Sequence, residues 1–205
     1  MKREIFKKFL VEKYPEKWEE MLLSFENYWK LLVLENAKIN LISRKTGIED
    51  YWTVHFLDSL LPIDFFDFSD KKILDLGTGG GLPGIPLKIL FPKSEMYLLD
   101  SKQKKINSLK NIIKKLDLKR CFTIVSRLED LDKERGGFFD FIVCRSVKIL
   151  PKYRKKMFEI LHKNGKIILY KSKILDDLKL FEKYKIYDVS QKEIGVRKII
   201  EIEKE

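Results

Sequence analysis

The sequence predicts an α/β protein: a doubly wound, mostly parallel, Rossmann-like sheet of seven strands, with an N-terminal helical extension and a C-terminal antiparallel hairpin. Three observations carry this reading. Strand-like apolar runs at 72–76, 95–99, 121–125, 138–144 and 166–170 alternate with helical periods at 84–91, 102–116 and 151–161. Such alternation builds right-handed βαβ units into a parallel sheet. The first run leads into a cluster of glycines and the second ends in Asp100, so both strand ends at the centre of the sheet carry unusual chemistry. Two late runs, 185–189 and 197–202, flank a turn-like stretch with Gly195 and read as a closing hairpin.

Upstream of the first strand the periodicity is helical throughout. Ile5, Phe6, Phe9 and Leu10 recur at helix spacing, and a longer stripe follows from Trp18, Met21, Leu22 and Phe25 to Tyr28, Trp29, Leu32 and Val33. Asn40 and Ser43 mark a break, and a third helix is expected over 49–61, ending near Pro62. A further helix is expected around 175–183, before the hairpin. The chain divides on this reading into a helical extension, 1–70, and a sheet domain, 71–205.

Composition narrows the function classes. Lys and Arg number 42 against 31 Asp and Glu, a net charge of +11, and 44% of the residues are hydrophobic. The apolar content supports a substantial core. The charge favours anionic partners, nucleic acid first and an anionic membrane surface second, although a Lys/Glu-rich thermophile surface gives a similar balance. Cys121 and Cys144 lie in strand-like runs without CxxC spacing, which suggests buried thiols and no zinc. The start, Met1-Lys2-Arg3-Glu4, lacks a signal core, and no run approaches the ~20 apolar residues of a membrane helix. A cytoplasmic, monomeric protein without metal is expected.

The segment Asp75-Leu76-Gly77-Thr78-Gly79-Gly80-Gly81-Leu82-Pro83-Gly84 is the strongest local signal. Glycines let the backbone turn tightly beside a ligand, and a following helix would present free N–H groups to it. Asp100 could accept hydrogen bonds from ribose hydroxyls. Two glycine registers compete. Gly79, Gly81 and Gly84 match the dinucleotide pattern G-x-G-x-x-G; Gly77, Gly79 and Gly81 match the G-x-G-x-G loop that binds S-adenosylmethionine (SAM). Asp75 favours the second, because a pyrophosphate beside its charge would be repelled.

Beyond this loop the chain resembles a known family. His55-Phe56-Leu57-Asp58-Ser59-Leu60, Asp75 through Leu87, Leu98-Leu99-Asp100-Ser101, Ser126-Arg127-Leu128-Glu129-Asp130 and Cys144-Arg145-Ser146 occur in the order seen in the bacterial 16S rRNA guanine-N7 methyltransferases, also called glucose-inhibited division protein B. The resemblance spans roughly residues 28–171. It implies a class I SAM methyltransferase fold, SAM as cofactor, 16S rRNA or the small ribosomal subunit as partner, and methylation of a guanosine at the position-527 class of site. Departures fall on the target side: Leu34-Glu35 replaces Trp-Asn, Asn40-Leu41-Ile42 replaces Asn-Leu-Thr, Arg145-Ser146-Val147 replaces Arg-Ala-Phe and Tyr170-Lys171-Ser172 replaces Leu-Lys-Gly.

The resemblance assigns Gly77 and Leu82 to the SAM loop, Leu128 and Glu129 to the adenine side, Asp100 to the ribose, and Arg145 to the meeting point of cofactor and target, where it is the catalytic candidate. Asp75, Gly79 and Gly81 complete the expected cofactor set. Lys104, Lys105, Arg127 and Lys171 are the RNA-binding candidates within three basic clusters that begin at strand C-ends; Lys156 belongs to the second cluster. His55 invites a general-base role, but guanine N7 has a free lone pair and needs no deprotonation, so a structural role suits His55 at least as well. Three other readings remain open: a methyltransferase of another RNA or a small molecule, an NAD-dependent dehydrogenase using the Gly79, Gly81 and Gly84 register, and a non-catalytic RNA-binding protein.

Overall fold

The computed structural model describes residues 1–204. Its strands are β1 (Lys72–Leu76), β2 (Glu95–Asp100), β3 (Cys121–Val125), β4 (Phe139–Arg145), β5 (Leu161–Lys171), β6 (Lys185–Asp188) and β7 (Lys198–Glu203). They form one sheet in the order β3-β2-β1-β4-β5-β7-β6. The pairs among β1 to β5 are parallel, while β7 runs antiparallel to both β5 and β6. Strand order reverses between β1 and β4, so a crevice opens beyond their C-terminal ends.

The helices are α1 (Lys2–Lys13), α2 (Trp18–Lys38), α3 (Asp58–Leu60), α4 (Gly84–Leu90), α5 (Gln103–Lys115) and α6 (Pro151–Ile160). Successive strand residues alternate between two cores. Phe141, Val143, Ile168 and Tyr170 join the core that includes Phe6 of α1, Phe25 of α2, Ile85 of α4 and Leu109 of α5. Ile142, Cys144, Ile167 and Leu169 join the core of Met157 and Ile160 from α6. The N-terminal helices thus share one apolar core with the sheet.

Two expected helices form differently. Residues 48–64 are a chain of short turns: a 3-10 turn at Ile48–Asp50, a wide π turn at Trp52–Leu57, α3, and a second 3-10 turn at Leu61–Asp64. Trp52 and Phe56 pack on Phe6, with ring centroids 5.7 and 6.1 Å away. The carbonyls of Val54 and His55 also accept from Arg145. Tertiary partners on both sides override the regular period. At 175–183 only a 3-10 turn forms, Asp176–Leu180. There Asp177 accepts from the Ile149 N–H and pairs with Lys171, while Leu178 and Phe181 enter the second core. These anchors hold side chains that a regular helix would spread around its surface.

Candidate active site

The glycine loop is pinned from beneath by a single carboxylate. Asp75 is fully buried at the end of β1, and its Oδ2 accepts from Thr78 Oγ1 (2.6 Å) and from the Gly84 N–H (2.8 Å). The Ile85 N–H bonds to the Gly81 carbonyl and the Leu87 N–H to that of Pro83, while Pro86 has none. The helix start therefore offers no free N–H to a ligand, contrary to the sequence expectation, because the loop consumes those donors itself. Burial raises the Asp75 pKa to about 6 against the opposing pull of its two hydrogen bonds. Its Oδ1 is buried without a partner.

The glycines answer mainly to protein neighbours. A Cβ on Gly79 would lie 3.1 Å from the Leu41 carbonyl oxygen, and one on Gly80 would lie 2.9 Å from Ile42 Cγ2. Tyr28 of α2 donates to the Gly80 carbonyl at 2.7 Å. The N-terminal region thus closes over this half of the loop. Gly77 has φ +73°, and a Cβ there would fall 2.5 Å from Val147 Cγ2.

Gly77, Asp100, Leu128, Val147, Tyr153 and Arg127 contribute to the lining of a cleft of about 240 Å³. Asp100 Oδ1 accepts from the Lys102 N–H (2.9 Å) and Oδ2 from the Gly79 N–H (3.2 Å). Lys105 Nζ stands 3.9 Å from Oδ2. A carboxylate has about four acceptor sites, so capacity for further donors remains. Apolar Leu128 and aromatic Tyr153 supply surfaces suited to a purine. Glu129 lies outside the lining and pairs with Lys152 at 2.6 Å. Asp75, Gly79, Gly81 and Leu82 likewise hold the loop from behind instead of lining the cleft.

A second cavity of about 630 Å³ opens beside the first, and Val147 lines both. The preceding residue, Ser146, has φ +60°. Arg145 belongs to this larger cavity, not to the cleft. Its Nη1 donates to Asp58 Oδ2 at 3.0 Å, and its Nη2 lies 3.4 Å from His55 Nδ1. Asp58, 1% exposed, also accepts from Arg197 Nε on Oδ1 at 2.6 Å. One buried carboxylate therefore carries two guanidiniums. Burial, then the Arg145 charge, lowers the His55 pKa to about 3, so the imidazole is neutral at physiological pH.

The basic candidates separate. Lys104 and Arg127 are exposed, and Lys105 is half-buried beside Asp100. Lys171 faces the larger cavity but pairs with Asp177. Lys156 is buried and pairs with Glu159 at 3.0 Å, which removes it from any phosphate-binding surface. Cys144 is buried and Cys121 half-buried, both free, and burial pushes both thiols up to about 12.

The profile of the GidB family, rRNA small subunit methyltransferase G, matches residues 21–198. The chain belongs to this family. Among its relatives, the ribosomal RNA small subunit methyltransferase G of Christiangramia forsetii is 35% identical over 198 residues, covering 93% of this chain and 90% of the relative. The protein of that name from Mesoplasma florum is 41% identical over 159 residues, 78% of this chain and 67% of the relative. A SAM dependent methyltransferase of Aquifex aeolicus shares the fold at a TM-score of 0.60 and 14% identity, covering 74% of this chain and 92% of that one. The fold is that of the class I methyltransferases.

Within this GidB-family chain, three residues at the site escaped the sequence reading. Tyr153 looks like an ordinary apolar position of α6, Tyr28 like one member of a core stripe, and Arg197 like a surface residue of the hairpin. Only Arg197 carried a signal, its place directly after the Gly195 turn.

Proposed function

We propose that this chain transfers the methyl group of SAM to N7 of a guanosine in 16S rRNA, at the position-527 class of site. The observation that carries the proposal is the junction at Val147, where a nucleoside-sized cleft meets a larger, arginine-bearing cavity. Asp100 would hold the ribose, and Leu128 with Tyr153 the adenine. Asp75, buried behind the loop, would act on the cofactor only through the turn it holds, by its bonds from Thr78 and Gly84. SAM supplies an electrophilic methyl carbon; the chain's own residues bind, orient and exclude water.

The committed state of the larger cavity favours a nucleophile that needs no base. Asp58 is bound to two arginines, Asp50 pairs with Lys2 at 2.6 Å, and His55 faces Arg145 through Nδ1 while its Nε2 is buried. Tyr170 donates to the Ser59 carbonyl at 2.8 Å, and burial holds its pKa well above the usual value. Guanine N7 attacks through a free lone pair, so alignment supplies the catalysis. A dinucleotide suits the loop less well, because α4 presents no free N–H to a pyrophosphate. Such a substrate makes the cytoplasm the place of action, and no helix among the described residues is long and apolar enough to cross a membrane.

The test is to map 7-methylguanosine in small-subunit rRNA from cells with and without the protein, alongside transfer from radiolabelled SAM to purified rRNA. A site present only with the protein is the expected result. Transfer to rRNA at an exocyclic amine would overturn the N7 assignment, and SAM binding without any transfer would leave only a binding protein.

A further inference from the structure

Four cations line the larger cavity, and three have their charge matched or their donors turned inward. Lys2 pairs with Asp50 and Lys171 with Asp177. Arg145 spends Nη1 on Asp58 and on the carbonyls of Val54 and His55, and Nη2 on His55. Its side chain is only 12% exposed. Arg197 differs. Its Nε is fixed on Asp58 and its Nη1 bonds to the Val196 carbonyl, but its Nη2 has no hydrogen bond among the described residues. At 28% its side chain is the more exposed of the two arginines.

The charges do not cancel. Asp58 is one carboxylate between two guanidiniums, so the pair leaves one positive charge facing the cavity. A guanidinium held rigid on one edge, with free donors on the other, is suited to a tetrahedral oxyanion. An anion is also what an RNA strand must bring wherever one of its bases enters a protein cavity, since each nucleotide carries a phosphate.

Resting on the reading of this chain as an rRNA methyltransferase, we infer that Arg197 binds a phosphate oxygen of the RNA beside the target base. Asp58 sets the direction of its guanidinium, and Arg145 balances the other carboxylate oxygen from behind. Arg145 is on this view the inner tie of the cavity and Arg197 its contact with substrate, although 52 residues and the whole of β5 separate them in sequence. The hairpin that carries Arg197, immediately before β7, thereby takes part in RNA recognition.

The experiment uses the full chain and a 16S rRNA fragment that the wild type methylates. Affinity is measured against salt for the wild type, Arg197→Ala and Arg197→Lys, with SAM affinity taken in parallel. Arg197→Ala should weaken RNA binding about tenfold, the range for a charged hydrogen bond. It should also reduce the slope of log affinity against log salt by about 0.7, the value for one phosphate on a single strand, while SAM affinity stays at the wild-type level. Arg197→Lys, which keeps the charge and is the safer variant for folding, should retain the wild-type slope. An unchanged slope in Arg197→Ala, or an Ala-like slope in Arg197→Lys, overturns the phosphate contact. Failure of the wild type to methylate any 16S rRNA fragment overturns the functional reading instead, and the two outcomes are read from separate samples.

Discussion

Around the smaller cleft, the polar geometry comes mostly from backbone and strand ends between Asp75 and Asp100: Asp75 accepts from the Thr78 hydroxyl and the Gly84 N–H of its own loop, and Asp100 from the adjacent Lys102 N–H and the Gly79 N–H of the glycine loop. In the larger cavity it comes from side chains of five distant segments, and the central acid, Asp58, is bound by cations 87 and 139 residues away. The first arrangement is local and tolerates little change of backbone. The second is an ion-pair network, in which each member holds the next. The two regions should therefore fail differently.

The largest effect should come from the loop. Gly77→Val adds a branched side chain at φ +73° and against Val147, so SAM affinity should drop by more than ~100-fold. Adding Val147→Ala relieves the contact but not the backbone angle, and should restore only part of the loss. Calorimetry showing normal SAM affinity in Gly77→Val would mean that the cleft is not the cofactor site.

Arg145→Ala should strike the other region. It leaves Asp58 paired with Arg197 alone and its Oδ2 without the Arg145 donor, a loss of about 1.5–3 kcal/mol for one charged hydrogen bond. Single-turnover transfer should slow by ~100-fold through misplacement of the base, with SAM affinity little altered because Arg145 does not line the cleft. Wild-type rates at saturating SAM and RNA would rule out a positioning role for Arg145.

Asp100→Ala returns to the cleft with a smaller effect. Loss of one charged acceptor should weaken SAM binding by about 1–3 kcal/mol, while the rate at saturating SAM stays within a fewfold. If the rate falls and the affinity holds, the proposed division between the two regions is wrong.

The same division explains what could be read from the chain alone. Asp75, Gly77 and Asp100 follow one another within a βαβ unit, so pattern and spacing place them at the switch point. The strands were legible for the same reason, because their apolar runs are continuous. The use of the loop's donors was not: that the Gly84 N–H goes to Asp75 depends on the path of the turn in space. The π turn at Trp52–Leu57 was illegible because aromatic packing on one side and Arg145 on the other set it. Arg197 had no local pattern linking it to Asp58, since that ion pair closes across the whole sheet domain.

The smallest effect sets the two regions against each other in one titration. Each holds a buried group whose charged form is disfavoured, but of opposite sign. His55 is lowered to about 3 from an ordinary 6.5, so between those values the folded chain binds fewer protons than the unfolded one. Its contribution is present above pH 6.5 and is lost as pH falls below it. Asp75 is raised to about 6 from an ordinary 3.8, so there the folded chain binds more protons. Its contribution is present below pH 3.8 and is lost as pH rises through 6. Between pH 6.5 and 5 the cavity should therefore weaken the fold while the cleft strengthens it. Each contribution changes by up to ~1.4 kcal/mol per pH unit. His55→Gln should lose about 1–2 kcal/mol less than the wild type over that interval, and Asp75→Asn about 1 kcal/mol more. Urea midpoints at the two pH values give both differences. Parallel pH dependence in all three proteins would show that neither group is held in the state its surroundings dictate.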